Sequence, residues 1–269
     1  MLLNKGCRNM ALIQRVSKTT LDRNLDMLFH KIRILTGRVI LTAILLSIIF
    51  ATQPLLAGDR TQFRQDFYNK VEPIKLVDPL SFALGATDKG EAFVYHYTDI
   101  VKYSGHSCPS VAGAYKMTQI ALKELYGDKM PIRGNIKVIM RGAPDDKVNG
   151  PIAQVISFIT GAAGETGFKG LKGKFSRYKL LSFDSDNPSE KGIWAEAIFE
   201  RIDTGEKVNV AYKVNMIPGS PQMGKLMPLI MSGKATEKQK IQFGDLWQER
   251  VRKALLKAPE GAYLIQHLK

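Results

Sequence analysis

DIVKYSGHSCPSVAGAYKMTQIALKEL, Asp99 to Leu125, decides how the rest of the chain is read. It resolves into two helical patterns around a short turn. The segment Tyr97 to Gly105 has the length of a short helix, and Gly105 suits its C-cap, where a left-handed backbone needs no Cβ. Pro109 fits the first position of the next helix, because the N–H it lacks would have had no partner there. From there Val111, Tyr115, Thr118, Leu122 and Leu125 recur at helical spacing, and Gly127 ends the run. Between the helices sit His106 and Cys108, one of four histidines and one of two cysteines in 269 residues.

Outward from this core the patterns are mixed. Asn135 to Met140 reads as a strand, Gly142 to Pro151 as a turn-rich loop, and Ile152 to Thr160 as a helix. RYKLLSFD predicts a strand through Phe183. IWAEAIFERID and KVNVAYKVN predict two strands joined by the turn Asp203 to Glu206. Ala235 to Ala258 predicts a helix with Phe243, Leu246, Val251 and Leu255 on one face. Upstream, Leu80 to Leu84 predicts a short strand. Without a regular βαβ alternation, this order points to an α+β fold.

The N-terminus reads as an address. Val39 to Phe50 is apolar, follows Lys31, Arg33 and Arg38, and is shorter than the roughly 20 residues of a spanning helix. That combination fits an export signal cleaved after Ala57, with Leu55 at the third position back. A start at Met27 gives the signal an ordinary length; retention of the run would make it an anchor. The expectation is an exported, periplasmic body with a leader over 1–57. Removing the leader removes Cys7 and leaves Cys108 alone. A lone thiol in an oxidising compartment has four roles open to it: intermolecular bridge, buried inert group, metal ligand or reactive group.

The formal charge of +14 is shared between the leader and the body. No dense stripe of Lys and Arg interleaved with aromatics accompanies it, so the charge does not point to nucleic acid. A basic surface suited to acidic surroundings, such as an anionic membrane, accounts for it. GAAGETGFKG, Gly161 to Gly170, is glycine-rich, but Phe168 stands where a phosphate-binding loop needs its Lys. A tight loop approaching other backbone is the better local reading.

His106-Ser107-Cys108-Pro109 carries the chemistry. An imidazole and a thiolate two residues apart can bind one soft or borderline cation, such as zinc; a buried structural pair is the other reading of the same spacing. A helix start stabilises a thiolate through its unpaired N–H groups and dipole, which favours a ligand or a nucleophile. Further ligands would have to come from elsewhere; His96, His267 and carboxylates are what the chain offers.

The stretch from Asp99 to Leu125 resembles the opening motif of the FmdE family, named for a component of formylmethanofuran dehydrogenase. That motif is a helix, a His-Gly-His-x-Cys-Pro-Gly turn, and a second helix with Gly and an aromatic-basic pair. Gly105, His106, Cys108, Pro109, Gly113, Tyr115 and Lys116 match it. Gly150 to Leu171 is similar to a second family segment through Gln154, Thr160, Gly161, Thr166 and Gly167. The resemblance implies an FmdE-like mixed sheet packed with helices over 96–269, after a lead-in over 58–95. It also implies a frequent homodimer and a divalent metal, usually zinc, at the His-x-Cys-Pro turn. Ser104 replaces the first His of the turn, Ser110 the Gly after Pro, and Ala162 and Ala163 the later cysteine. The carry-over is therefore His106 and Cys108 as ligands, with Asp146 and His96 as candidates for a third. The function expected is an exported module that binds a metal or metal-containing cofactor. The alternative is an enzyme acting on a small molecule through a metal-bound water or the Cys108 thiolate.

Overall fold

The computed structural model describes residues 61–269 and, ahead of them, only Met27, His30 and Arg33. The expected leader and its cleavage point lie otherwise outside the described residues. In chain order the elements are β1 (Ile74–Val77), α1 (Pro79–Ala83), β2 (Ala92–Tyr95), α2 (Tyr97–Ser104), α3 (Pro109–Tyr126), β3 (Ile136–Arg141) and α4 (Asn149–Thr160). They continue with β4 (Leu181–Asp184), β5 (Ala195–Arg201), β6 (Lys207–Tyr212), α5 (Pro221–Met231), α6 (Glu237–Leu256) and β7 (Tyr263–Leu268). Residues 65–269 form one compact unit.

Alternation builds the main sheet. Ile136, Val138 and Met140 of β3 are fully buried while the residues between them are half-buried, as a strand with one face on a core requires. Ala195, Ala197 and Phe199 of β5, and Val208, Val210 and Tyr212 of β6, continue that face. The sheet order is β4-β3-β5-β6-β7. Every pair is antiparallel except β3 with β4. A parallel pair needs a crossover, and the segment containing α4 supplies it. The fold is α+β.

Helix α3 lies on the buried face, against β6, with α4 and α6 packed beside it. It buries Val111, Tyr115, Met117, Leu122, Leu125 and Tyr126. Burial of each such side chain stabilises the fold by about 1.5–3 kcal/mol. The helix approaches the sheet closely at Gly113, where an added Cβ would overlap the Tyr212 ring. The Tyr212 hydroxyl in turn donates to the Pro109 carbonyl at 3.1 Å, tying the helix start to β6.

The segment ahead of α2 is built into this unit. β1 and β2 pair as a separate antiparallel ribbon. The Tyr115 hydroxyl lies 2.9 Å from the carbonyls of both Glu72 and Tyr95, so α3 holds both sides of the ribbon. Leu80 to Leu84 is not the strand expected. Asp78 accepts from the N–H groups of Leu80 and Ser81, and Pro79 occupies the first helical turn, so the chain starts α1 instead. A capping carboxylate outweighs the apolar content of five residues.

Asp78 is also the centre of a buried ion cluster. Its carboxylate pairs with the buried guanidinium of Arg177, and Arg133 Nη1 reaches it at 3.1 Å. Arg133 also donates to the carbonyls of Phe158 and Ile159, closing the end of α4. Glycines make room for the two arginines. A Cβ on Gly161, whose φ is +73°, would collide with Arg177 and crowd Arg133. The glycine-rich stretch thus meets backbone, as the tight-loop reading expected, and side chains as well: a Cβ on Gly170 would strike the Phe175 carbonyl and one on Gly161 the Arg177 guanidinium.

Burial alone would raise the Asp78 carboxyl, but the Arg177 hydrogen bond and charge, with Arg133 and the Ser81 N–H, outweigh it and hold the group below the usual carboxylate range. The folded state therefore binds this proton less tightly than the unfolded chain does. Stability from the cluster is complete above the unfolded carboxyl value, about 3.9, and is lost as pH falls from there through the lowered folded value. Asp78→Ala, which strands a buried guanidinium, should cost about 3–5 kcal/mol in chemical denaturation and flatten the acid limb of the stability profile. Gly113→Ala should cost about 1–3 kcal/mol by overpacking against Tyr212, measured in the same denaturation series.

Candidate functional site

The turn between α2 and α3 is shaped by its two helix ends. Gly105 takes φ +71° at the end of α2, which turns the chain back sharply. Cys108 is the N-cap of α3, in extended backbone, and its Sγ accepts from the Val111 N–H at 3.5 Å. The thiol is half-buried. Its sulfur therefore faces the unpaired N–H groups and positive dipole end of an 18-residue helix.

His106 is exposed, and its Nδ1 lies 2.8 Å from the Ser104 carbonyl. A carbonyl only accepts, so in the neutral ring Nδ1 carries the proton and Nε2 presents its lone pair outward. This is the tautomer a metal ligand needs, held by the kind of backbone contact that orients ligating imidazoles.

Ser107, between the two, is fastened from several directions. Its carbonyl accepts from Trp247 Nε1 at 3.1 Å and from Gln248 Nε2 at 3.0 Å, both on α6. Gln248 is itself held by the Tyr68 hydroxyl at 2.9 Å. The Ser107 hydroxyl meets the Tyr97 hydroxyl at 2.8 Å inside the core. On the far side of Pro109, Ser110 Oγ accepts from Trp194 Nε1 at 3.1 Å. Tyr97 sits edge-on between Tyr68 and Tyr115, with ring centroids 5.3 and 5.5 Å away. Burial raises the Tyr97 hydroxyl far above its ordinary value despite the Ser107 hydrogen bond, so it stays a neutral donor or acceptor at any physiological pH.

The chain has two tryptophans; Trp247 donates to this turn and Trp194 to the first turn of α3 beside it. They, with Gln248 and Tyr97, are the residues that sequence reasoning missed. A faint signal existed: two scarce indoles, each needing an acceptor when half-buried, in a chain with one cysteine among the described residues. Their meeting point was not readable, because 84 and 140 residues separate them from their acceptors.

The other candidate ligands lie in other settings. His96 is the residue before α2, where its N–H donates to the Asp99 carboxylate at 2.9 Å. Helix α2 separates it from His106 by about 12 Å of axial rise. Asp146 sits in the turn before α4, its carboxylate against Gly142. His267 is on β7, 2.8 Å from the Glu124 carboxylate. Among the described residues, no three or more His, Cys, Asp or Glu gather as a metal-binding group. His106 and Cys108 therefore share one turn, and His96, Asp146 and His267 have the separate partners just described.

Replacing both α6 donors, as Trp247→Phe with Gln248→Leu, leaves the Ser107 carbonyl without a side-chain partner. The expected loss is about 1–3 kcal/mol, with faster amide exchange at Val111 as the turn loosens. Unchanged exchange there would show that the turn does not depend on the clamp. Compared with protein-family models and with curated proteins, the chain matches none.

Proposed function

We propose that this protein is an exported FmdE-like module that binds a divalent metal, or a cofactor carrying one, through His106 Nε2 and Cys108 Sγ. The observation that carries the reading is the rigid turn. It presents an imidazole whose Nδ1 is held by a backbone carbonyl and a helix-capping thiol, two residues apart, on a frame clamped by two indoles, an amide and a tyrosine. Such pre-organisation lowers the ordering cost of binding. The kinship with the family rests on the shared turn residues and on the glycine that lets α3 sit on the sheet. Zinc suits the donors best, being at ease with one nitrogen and one sulfur and tolerant of ligands from a bound small molecule. Its chemistry when bound would be that of a Lewis acid. Export to the periplasm and a homodimer belong to the same proposal.

The expected result is about one equivalent of metal per chain by elemental analysis of the purified protein, abolished by His106→Ala with the fold unchanged by circular dichroism. Metal-free protein, with His106→Ala indistinguishable from wild type, would overturn it. A second reading has one observation in its favour: the Val111 N–H donates to the sulfur at the start of α3, a position that suits a nucleophile as well as a ligand. Rapid alkylation of Cys108 at neutral pH, unaffected by a chelator or by His106→Ala, would select it.

A further inference from the structure

The glycine-rich stretch leaves a feature that metal binding does not use. From Gly164 to Ser176 the chain runs out as a loop whose neck is closed by backbone hydrogen bonds. Ala163 donates to Arg177 at 3.1 Å and accepts from Leu181 at 3.1 Å, and Arg177 donates to Lys169 at 2.9 Å. Arg177 itself is anchored on Asp78, so the loop stands on a buried ion pair. Its tip exposes apolar side chains: Phe168 is 92% exposed and Leu171 47%.

Positive charge surrounds that tip. Lys169, Lys172 and Lys174 are exposed and form no ion pair among the described residues; Lys179 pairs with Glu165 at 3.1 Å. Lys169 and Lys179 lie over the Tyr178 ring, 5.3 and 5.4 Å from its centroid. Water gains nothing from an exposed phenyl and leucine, so displaying them on a rigid neck is unfavourable without an apolar destination.

We propose that this loop docks on an anionic lipid surface, with Phe168 and Leu171 entering the acyl boundary, Tyr178 at the interface and the lysines on the headgroups. The pattern is that of peripheral attachment, apolar side chains ringed by base. Charge complementarity selects the anionic surface. Leu171 distinguishes it from single-stranded nucleic acid, since an aliphatic side chain has no face for a base to stack on. The lysines are point charges that suit a mobile lipid headgroup layer, without the planar fork used for fixed phosphates.

The test uses the full chain and vesicles of phosphatidylcholine with or without phosphatidylglycerol. The apolar run Val39 to Phe50 is common to all variants, so each variant is compared with wild type at lipid concentrations where wild-type partitioning is incomplete. Each lysine replaced by glutamine among Lys169, Lys172 and Lys174 should weaken partitioning to phosphatidylglycerol vesicles about fivefold. Phe168→Trp should place an indole that brominated acyl chains quench beyond the wild-type level, in phosphatidylglycerol vesicles only. Wild-type partitioning by the triple glutamine variant, or an unquenched indole at position 168, would overturn the proposal. Preferential binding of a single-stranded oligonucleotide, abolished by the same lysine changes while vesicle binding persists, would overturn it equally.

Discussion

A buried carboxylate cannot stay ionised without positive charge, and Asp78 obtains it from two arginines that belong to distant parts of the chain. One contact set therefore joins the start of α1, the end of α4 and the neck of the basic loop. Through Arg133 it also supplies partners for the carbonyls that α4 leaves unpaired. The glycines around the cluster follow from the same need. Arg177 passes so close to Gly161 that a side chain there would displace the guanidinium, and the left-handed backbone at that position favours glycine independently. Gly161 is thus explained by a salt bridge, and Gly170 by the close approach of the Phe175 carbonyl.

The turn at Cys108 depends on a second arrangement, made of hydrogen bonds. Ser107 has no chemistry of its own, yet its two oxygens collect three side-chain partners from α2 and α6. The result is a half-buried thiol that cannot drift away from the helix axis. The same arrangement leaves the His106 imidazole exposed to solvent.

Much of the fold was legible. Helix α3 follows from Pro109, the spacing of Val111, Tyr115, Thr118, Leu122 and Leu125, and Gly127; β5 and β6 follow from alternation around the Asp203 to Glu206 turn. What escaped had weak local signals. β1, β2 and β7 are short or edge strands stabilised by pairing with distant chain, and such pairing leaves little trace in four to six residues. α5 contains Pro228, which argues against a helix from sequence, although Ser220 caps it and Pro221 starts it. α1 was concealed because Asp78 looks like any turn residue until its partners are known.

The sequence by itself determined the local frame of the site: a glycine C-cap, a histidine, a cysteine N-cap and a proline, in an order whose backbone consequences are short-range. It determined the α+β character for the same reason, since periodicity is written residue by residue. Only the tertiary structure decided which groups meet. It brought Trp194, Trp247 and Gln248 onto the turn, set His96 at the opposite end of α2 from His106, and paired Asp78 with Arg177 across 99 residues. Those encounters depend on packing helices onto one face of a sheet, which is a property of the whole chain and of no segment within it.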